Sequence, residues 1–183
     1  MDFGNENDRN IIFCEEIEEE STKNLIKNIV DINMYDSIQE STIVDYQRIP
    51  IRIYMTTAGG SLHHTIALFD IIKHSKTPVW IFVSGYCCSG GFYMLGAADK
   101  VFAYEHTEFM YHQLSYKTPF STLEQQQQNV DLHKKLQEVA DNLILENTNI
   151  SKEKLAEINK KQIDWWMDAK EAKKLGVIDE IIR

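Results

Sequence analysis

The stretch SGYCCSGGFYM, residues 84–94, sets Ser89 between two cysteines and two glycines. An apolar run precedes it and a helical pattern follows. A serine at a helix start is ordinarily an N-cap. To act as a nucleophile it needs a base within hydrogen-bond reach, an acid to orient that base, and backbone N–H groups for the oxyanion. The stretch is not a G-x-S-x-G elbow, because Cys87 stands where that motif has glycine. Gly59 and Gly60 follow an apolar strand pattern, where glycine lets backbone approach a ligand closely. Gly60 N–H paired with Gly90 N–H would make a two-donor oxyanion site, although a tight strand-to-helix turn asks for the same glycines. His112 ends the strand-like run FMYHQ, where a lone histidine is more often a satisfied surface or core residue than a base. Asp164 precedes Trp165, Trp166 and Met167, so its carboxylate is expected to be partly buried and in need of a partner such as a histidine N–H.

Metal chemistry finds less support. Cys87 and Cys88 are adjacent, Cys14 stands alone, and neither arrangement is a C-x-x-C pair. His63 and His64 are also adjacent and would point to different sides of a helix. No metal site is expected on that spacing.

The elements that must position these residues alternate along the chain. A strand is predicted over 10–14 and a helix over 21–34, capped by Ser21, with Leu25, Ile26, Ile29 and Val30 on one face. Residues 35–47 are polar and weakly patterned, and read as a loop or partly helical excursion. A strand over 49–56 leads into the glycines, and a helix runs over 61–74. Residues 79–84 (VWIFVS) form a continuous apolar run that suits a parallel strand covered on both faces. A helix over 89–98, strands over 101–104 and 108–112, and a long polar helix over 121–146 follow. Ser151 opens a further helix, and a last helix over 169–175 ends at Gly176 before a strand over 177–182. The alternation predicts an α/β fold with a largely parallel sheet. The polarity of the long helix predicts that it projects or packs on another subunit.

The 183 residues, 43% hydrophobic and 26% charged, are consistent with one domain over 1–183. A formal charge of -9 disfavours nucleic acid or an anionic membrane as partner. No apolar run is long enough to span a bilayer, and the N-terminus has no signal-peptide pattern, so a cytoplasmic protein is expected.

Taken in order, these segments resemble the proteolytic subunit of the Clp proteases, serine peptidases on the crotonase-like fold. RNIIF at 9–13 looks like that family's first strand, and IYMTTAGGS at 53–61 resembles its strand leading into S-P-G-G, with Ala58 in place of proline. GYCCSGG at 85–91 is similar to G-x-A-A-S-M-G, FMYHQ at 109–113 to M-I-H-Q, and DWWMDAKEA at 164–172 to D-x-(W/F)-(M/L)-S-A-x-E-A. The resemblance implies Ser89 as nucleophile, His112 as base and Asp164, not Asp168, as the acid, with Gly60 and Gly90 as oxyanion donors. It implies mostly parallel sheets flanked by helices and a protruding handle helix within a region of about 113–150. Leu114, Ser115 and Tyr116 would run beside the substrate as an added strand. It further implies stacked seven-membered rings of this chain, an AAA+ unfoldase of the ClpX or ClpA type, and unfolded polypeptide as substrate. Hydrolysis would need no cofactor, ATP being used by the unfoldase.

Four departures qualify the resemblance. LSYKTPF at 114–120 lacks the usual glycines. Few residues precede the first strand, so the propeptide and most of the axial-pore segment are expected to be missing. The excursion at 35–47 looks like an insertion. Arg52 stands where an aromatic residue often lines the unfoldase dock, although Tyr54 is retained. A phage or organellar origin would suit such a chain. Two other readings stand beside the peptidase: a catalytically silent scaffold subunit, and a crotonase-type enzyme acting on a coenzyme A thioester.

Overall fold

The computed structural model of the chain describes residues 3, 5–116, 120 and 122–183. Five parallel strands form the main sheet in the order β1 (Asn10–Phe13), β2 (Ile51–Thr57), β3 (Val79–Cys88), β4 (Lys100–Tyr104) and β7 (Glu180–Ile182). Ile51, Ile53 and Met55 of β2 and Val79, Ile81 and Val83 of β3 alternate inward and are fully buried. They pack beneath α1 (Glu19–Thr42) and α2 (Leu62–Lys73), whose Leu25, Ile29, Ile32, Leu68 and Ile72 close the core.

The run at 79–84 is therefore covered on one face, not on both. Its outward residues Trp80 and Phe82 are only half-buried. The parallel register sets Tyr54 opposite Phe82 and Phe82 opposite Phe102. Those rings stack at 5.0 and 4.7 Å between centroids. The apolar run thus serves two purposes, core on one side and an aromatic row on the other.

β3 is long because it belongs to two pairings. Its first half lies between β2 and β4, and its last residues pair in parallel with β5 (Glu108–Tyr111). β5 in turn pairs antiparallel with β6 (Trp165–Asp168), a strand whose four residues gave too short a pattern to read from sequence. The handle helix α4 (Leu123–Asn147) buries only Ala140 and Ile144 and leaves its first half exposed. Thr122 caps it, exchanging hydrogen bonds with Gln125. Helices α5 (Lys152–Lys161) and α6 (Ala169–Lys174) follow, the first capped by Ser151 as predicted. No helix among the described residues is long and apolar enough to cross a membrane.

Two expectations about α1 are corrected. Ser21 is not its N-cap; it sits one turn inside, where its Oγ accepts the Glu18 N–H at 2.9 Å and donates to the Glu16 carbonyl at 2.7 Å. The helix also runs past its expected end at 34, as far as Thr42, so the excursion at 35–47 is partly helical, one of its two expected forms. The buried face runs Leu25, Ile29, Ile32, Asp36, and the charge at the fourth place hid the helical period.

Asp36 is there for Arg9. Both side chains are fully buried, joined through two guanidinium nitrogens at 3.0 and 2.5 Å. Thr77 Oγ1 and Tyr46 OH donate to the same carboxylate at 2.6 and 2.7 Å. Arg9 also donates to the carbonyls of Phe3 and Ile49. Burial opposes ionisation of Asp36, but the hydrogen bonds from Arg9, Thr77 and Tyr46 outweigh it and hold the carboxyl below the usual range. Burial, then the hydrogen bond to Asp36, pushes the Tyr46 phenol up to about 12, so it remains a donor.

Because the folded-state pKa of Asp36 is depressed, its contribution to stability is full above the unfolded value and is lost as pH falls through the folded one. Asp36→Ala leaves Arg9 buried and unpaired, and is expected to cost about 3–5 kcal/mol in urea unfolding at neutral pH. The difference from the parent chain should shrink on acidification below about pH 4.

Candidate active site

Ser89 occupies the turn from β3 into the short helix α3 (Gly90–Met94) with φ 50 and ψ -118. A non-glycine residue rarely adopts positive φ, and holding it there costs on the order of 1–3 kcal/mol. The surroundings impose it. Ser89 N–H donates to the Met110 carbonyl of β5 at 2.8 Å, extending the ladder one step beyond the last β3 pair. Phe92 N–H then takes the Ser89 carbonyl at 3.0 Å to start the helix. The side chain is not used as a cap. It projects instead toward His112, whose Nε2 lies 2.8 Å from Ser89 Oγ. Both residues are half-buried. With Nε2 accepting from the hydroxyl, the imidazole proton sits on Nδ1.

The neighbouring thiols do not compete for the nucleophile's role. Burial, together with the charges of Glu108 and Asp164, pushes Cys88 up to about 11. Burial drives Cys87, fully enclosed, well above an ordinary thiol. Neither supplies thiolate at neutral pH.

Sheet register brings the third residue near. Tyr111 of β5 lies opposite Trp165 of β6, so one further antiparallel step sets His112 opposite Asp164. Both line a cavity of about 280 Å³ together with Gln113, Leu114, Ser115 and Gln162. Asp164 is exposed, not partly buried, because it lies just before the start of β6 and the nearby Trp166 faces outward, 51% exposed. Among the described residues no hydrogen bond or ion pair joins Asp164 to His112. Asp168 is at the opposite end of the strand pair, opposite Glu108, and its carboxylate caps α6 by accepting the Glu171 N–H at 2.8 Å.

Gly60 and Gly90 also converge. Ile17, fully buried, bridges to the loop at 58–61 through the Gly59 carbonyl (2.8 Å) and the Ser61 N–H (3.0 Å). That bridge passes over the Gly60 N–H, which has no acceptor among the described residues; the N–H of Gly90, first residue of α3, is likewise unused. The two turns press together: a Cβ on Gly59, at φ 96, would lie 2.7 Å from both the Cys88 carbonyl and the Gly90 nitrogen. One on Gly90 would meet Thr65 Oγ1 at 2.5 Å and the Gly60 nitrogen at 3.3 Å. The glycines thus serve close backbone approach as well as turn geometry.

The segment expected to align substrate is only partly available. Leu114 N–H donates to Gln137 Oε1 of α4 at 2.8 Å and is taken up by the handle. Ser115 and Tyr116 are exposed, and the Tyr116 ring stacks on His133 of α4 at 3.6 Å. Gln162 was not foreseen; it sits at φ 52 past the end of α5, and a lone polar residue between lysines and Ile163 carried no signal of its place in the cavity. Ile17 was equally invisible, since its part is played by its backbone. Among the described residues no three His, Cys, Asp or Glu side chains come together as a metal cluster.

The Clp protease family model matches residues 5–183. The "ATP-dependent Clp protease proteolytic subunit 2" of Treponema pallidum is 30% identical over 139 residues, which cover 73% of this chain and 66% of that protein. Its namesake from Treponema denticola is 26% identical over 183 residues, covering 97% and 83%. Among solved structures, a point mutant of ClpP1 from Listeria monocytogenes has the same fold, with a TM-score of 0.79 at 24% identity over 97% of this chain and 93% of that one.

Gly59→Ala should lower stability by about 1–3 kcal/mol, because positive φ and two backbone collisions oppose the methyl group together. A shift of the urea midpoint with unchanged slope would register it.

Proposed function

The chain belongs to the Clp protease family, and on that premise we propose that it is a serine endopeptidase that cleaves unfolded polypeptides at Ser89. The observation that carries the proposal is the 2.8 Å approach of His112 Nε2 to Ser89 Oγ across adjacent parallel strands. Ser89 Oγ attacks the peptide carbonyl carbon as His112 Nε2 takes its proton. The carbonyl oxygen, now negative, is received by the Gly60 and Gly90 N–H groups. His112 then returns the proton to the leaving amine nitrogen, the C–N bond breaks, and an acyl-enzyme ester remains. Water, deprotonated by the same imidazole, hydrolyses that ester and restores Ser89.

Asp164 is the acid in this scheme. Drawn toward Nδ1–H across the shared cavity, it holds the tautomer and stabilises the imidazolium. Gln113 and Ser115, beside the occupied Leu114 N–H, offer main-chain groups to an extended substrate. No metal or nucleotide takes part in these steps. Self-assembly into stacked seven-membered rings would enclose the site. The half-exposed aromatic row Tyr54–Phe82–Phe102, with Lys100 set 5.5 Å over the neighbouring Trp80 ring, is a suitable face for an AAA+ unfoldase of the ClpX or ClpA type. Such an assembly would work in the cytoplasm and use ATP only in its partner. The family match favours neither a silent scaffold nor a coenzyme A enzyme.

Hydrolysis of short fluorogenic peptides, with mass followed by light scattering, tests the proposal. Ser89→Ala should lower kcat by about 10⁶-fold and Asp164→Asn by about 10⁴-fold, both assembling like the parent. Turnover that survives Ser89→Ala would place the nucleophile elsewhere.

A further inference from the structure

His112 lies just past the end of β5, where the ladder no longer restrains it. The residues on either side of it are nonetheless fixed by three side chains from two helices. Tyr111 is fully buried, and its hydroxyl lies 2.8 Å from Asp141 Oδ1 of α4 and 2.8 Å from Asn159 Oδ1 of α5. Burial, with the neighbouring Tyr93 and the Asp141 charge, keeps that phenol protonated far above its ordinary range. Asn159 Nδ2 donates to Asp141 Oδ2 at 3.0 Å. Gln137 Nε2 donates to Asp141 Oδ1 at 2.8 Å while its Oε1 receives the Leu114 N–H at 2.8 Å. Gln137 therefore ties the residue before the imidazole, through Asp141, to the residue two places after it.

We propose that Gln137, Asp141 and Asn159 are positioning residues that hold His112 in register with Ser89. The inference rests on the peptidase reading of that pair. None of the three touches substrate or the reacting atoms. Their effect is geometric: a base displaced by about 1 Å loses on the order of a hundredfold in rate. A cluster that merely docked α4 and α5 onto the sheet would change stability and leave the chemistry of the folded protein alone.

The rate at which a fluorophosphonate labels Ser89 in the full-length protein separates the two, read alongside kcat and KM for a short peptide. Gln137→Met keeps side-chain length at a half-buried helix position and removes all three of its hydrogen bonds, to the Leu114 N–H, to Asp141 and, at 3.4 Å, to the Tyr111 hydroxyl. In samples shown by circular dichroism to be folded, it should label about tenfold to a hundredfold more slowly. kcat should fall in parallel and KM stay within about twofold, as expected when a transition-state interaction is lost. Asp141→Leu should behave in the same way. The isosteric Asp141→Asn keeps an oxygen for Tyr111 and presents an N–H that a flipped Asn159 amide can accept, so it should recover most of the rate. Labelling of folded Gln137→Met as fast as the parent would overturn the positioning role alone. A parent chain that takes no label at Ser89 would overturn the peptidase reading, and this inference with it.

Discussion

The backbones of residues 58–60 and 88–91 approach so closely that side chains are excluded between them, and the candidate site follows from that contact. Gly59 has no room for a Cβ against the Cys88 carbonyl, and Gly90 has none against Thr65. With the two turns pressed together, the N–H groups of Gly60 and Gly90 are neighbours and Ser89 must turn outward through positive φ. Each turn has its own anchor. Ile17 holds the first by its backbone, and the β3–β5 ladder holds the second through the Ser89 N–H. Preorganised donors of this kind need no rearrangement when charge develops on a substrate oxygen.

The second constraint is register. Parallel pairing of β3 with β5 and antiparallel pairing of β5 with β6 carry residues from three distant parts of the chain to one edge. A slip of one residue in either pairing would turn His112 or Asp164 to the opposite face. The buried Phe109, Tyr111 and Met167 along that pair resist such a slip, since each would have to leave the core. Core packing and chemistry are thus specified by the same alternation.

Much of this was legible in the residues. Glycine pairs after apolar runs, a serine between them, a histidine ending a strand and a carboxylate before Trp165 offered Gly60, Gly90, Ser89, His112 and Asp164 as candidates, each with a plain structural reading beside it. The order of the segments is what singled them out as a set. What stayed hidden has physical causes. The last turns of α1 were concealed because Asp36 fills an inward position, and a pattern read by hydrophobicity cannot count a paired charge as core. β6 was too short to show a period. The exposure of Asp164 depends on where a strand ends, the boundary that local pattern fixes least well. Gln137 and Asp141 looked like the solvated face of a polar helix, and only the fold turns that stretch of α4 toward Tyr111 and Leu114.

The buried pair Arg9–Asp36 has a consequence for how such a chain can change over generations. Either residue replaced by itself leaves a solitary charge in a dry interior, whereas both replaced by apolar groups of matching volume leave none. The two positions, 27 residues apart in sequence, are therefore joined into one heritable unit. A lineage can keep the pair or lose it whole, but the single-step intermediates between those states are the variants least able to persist.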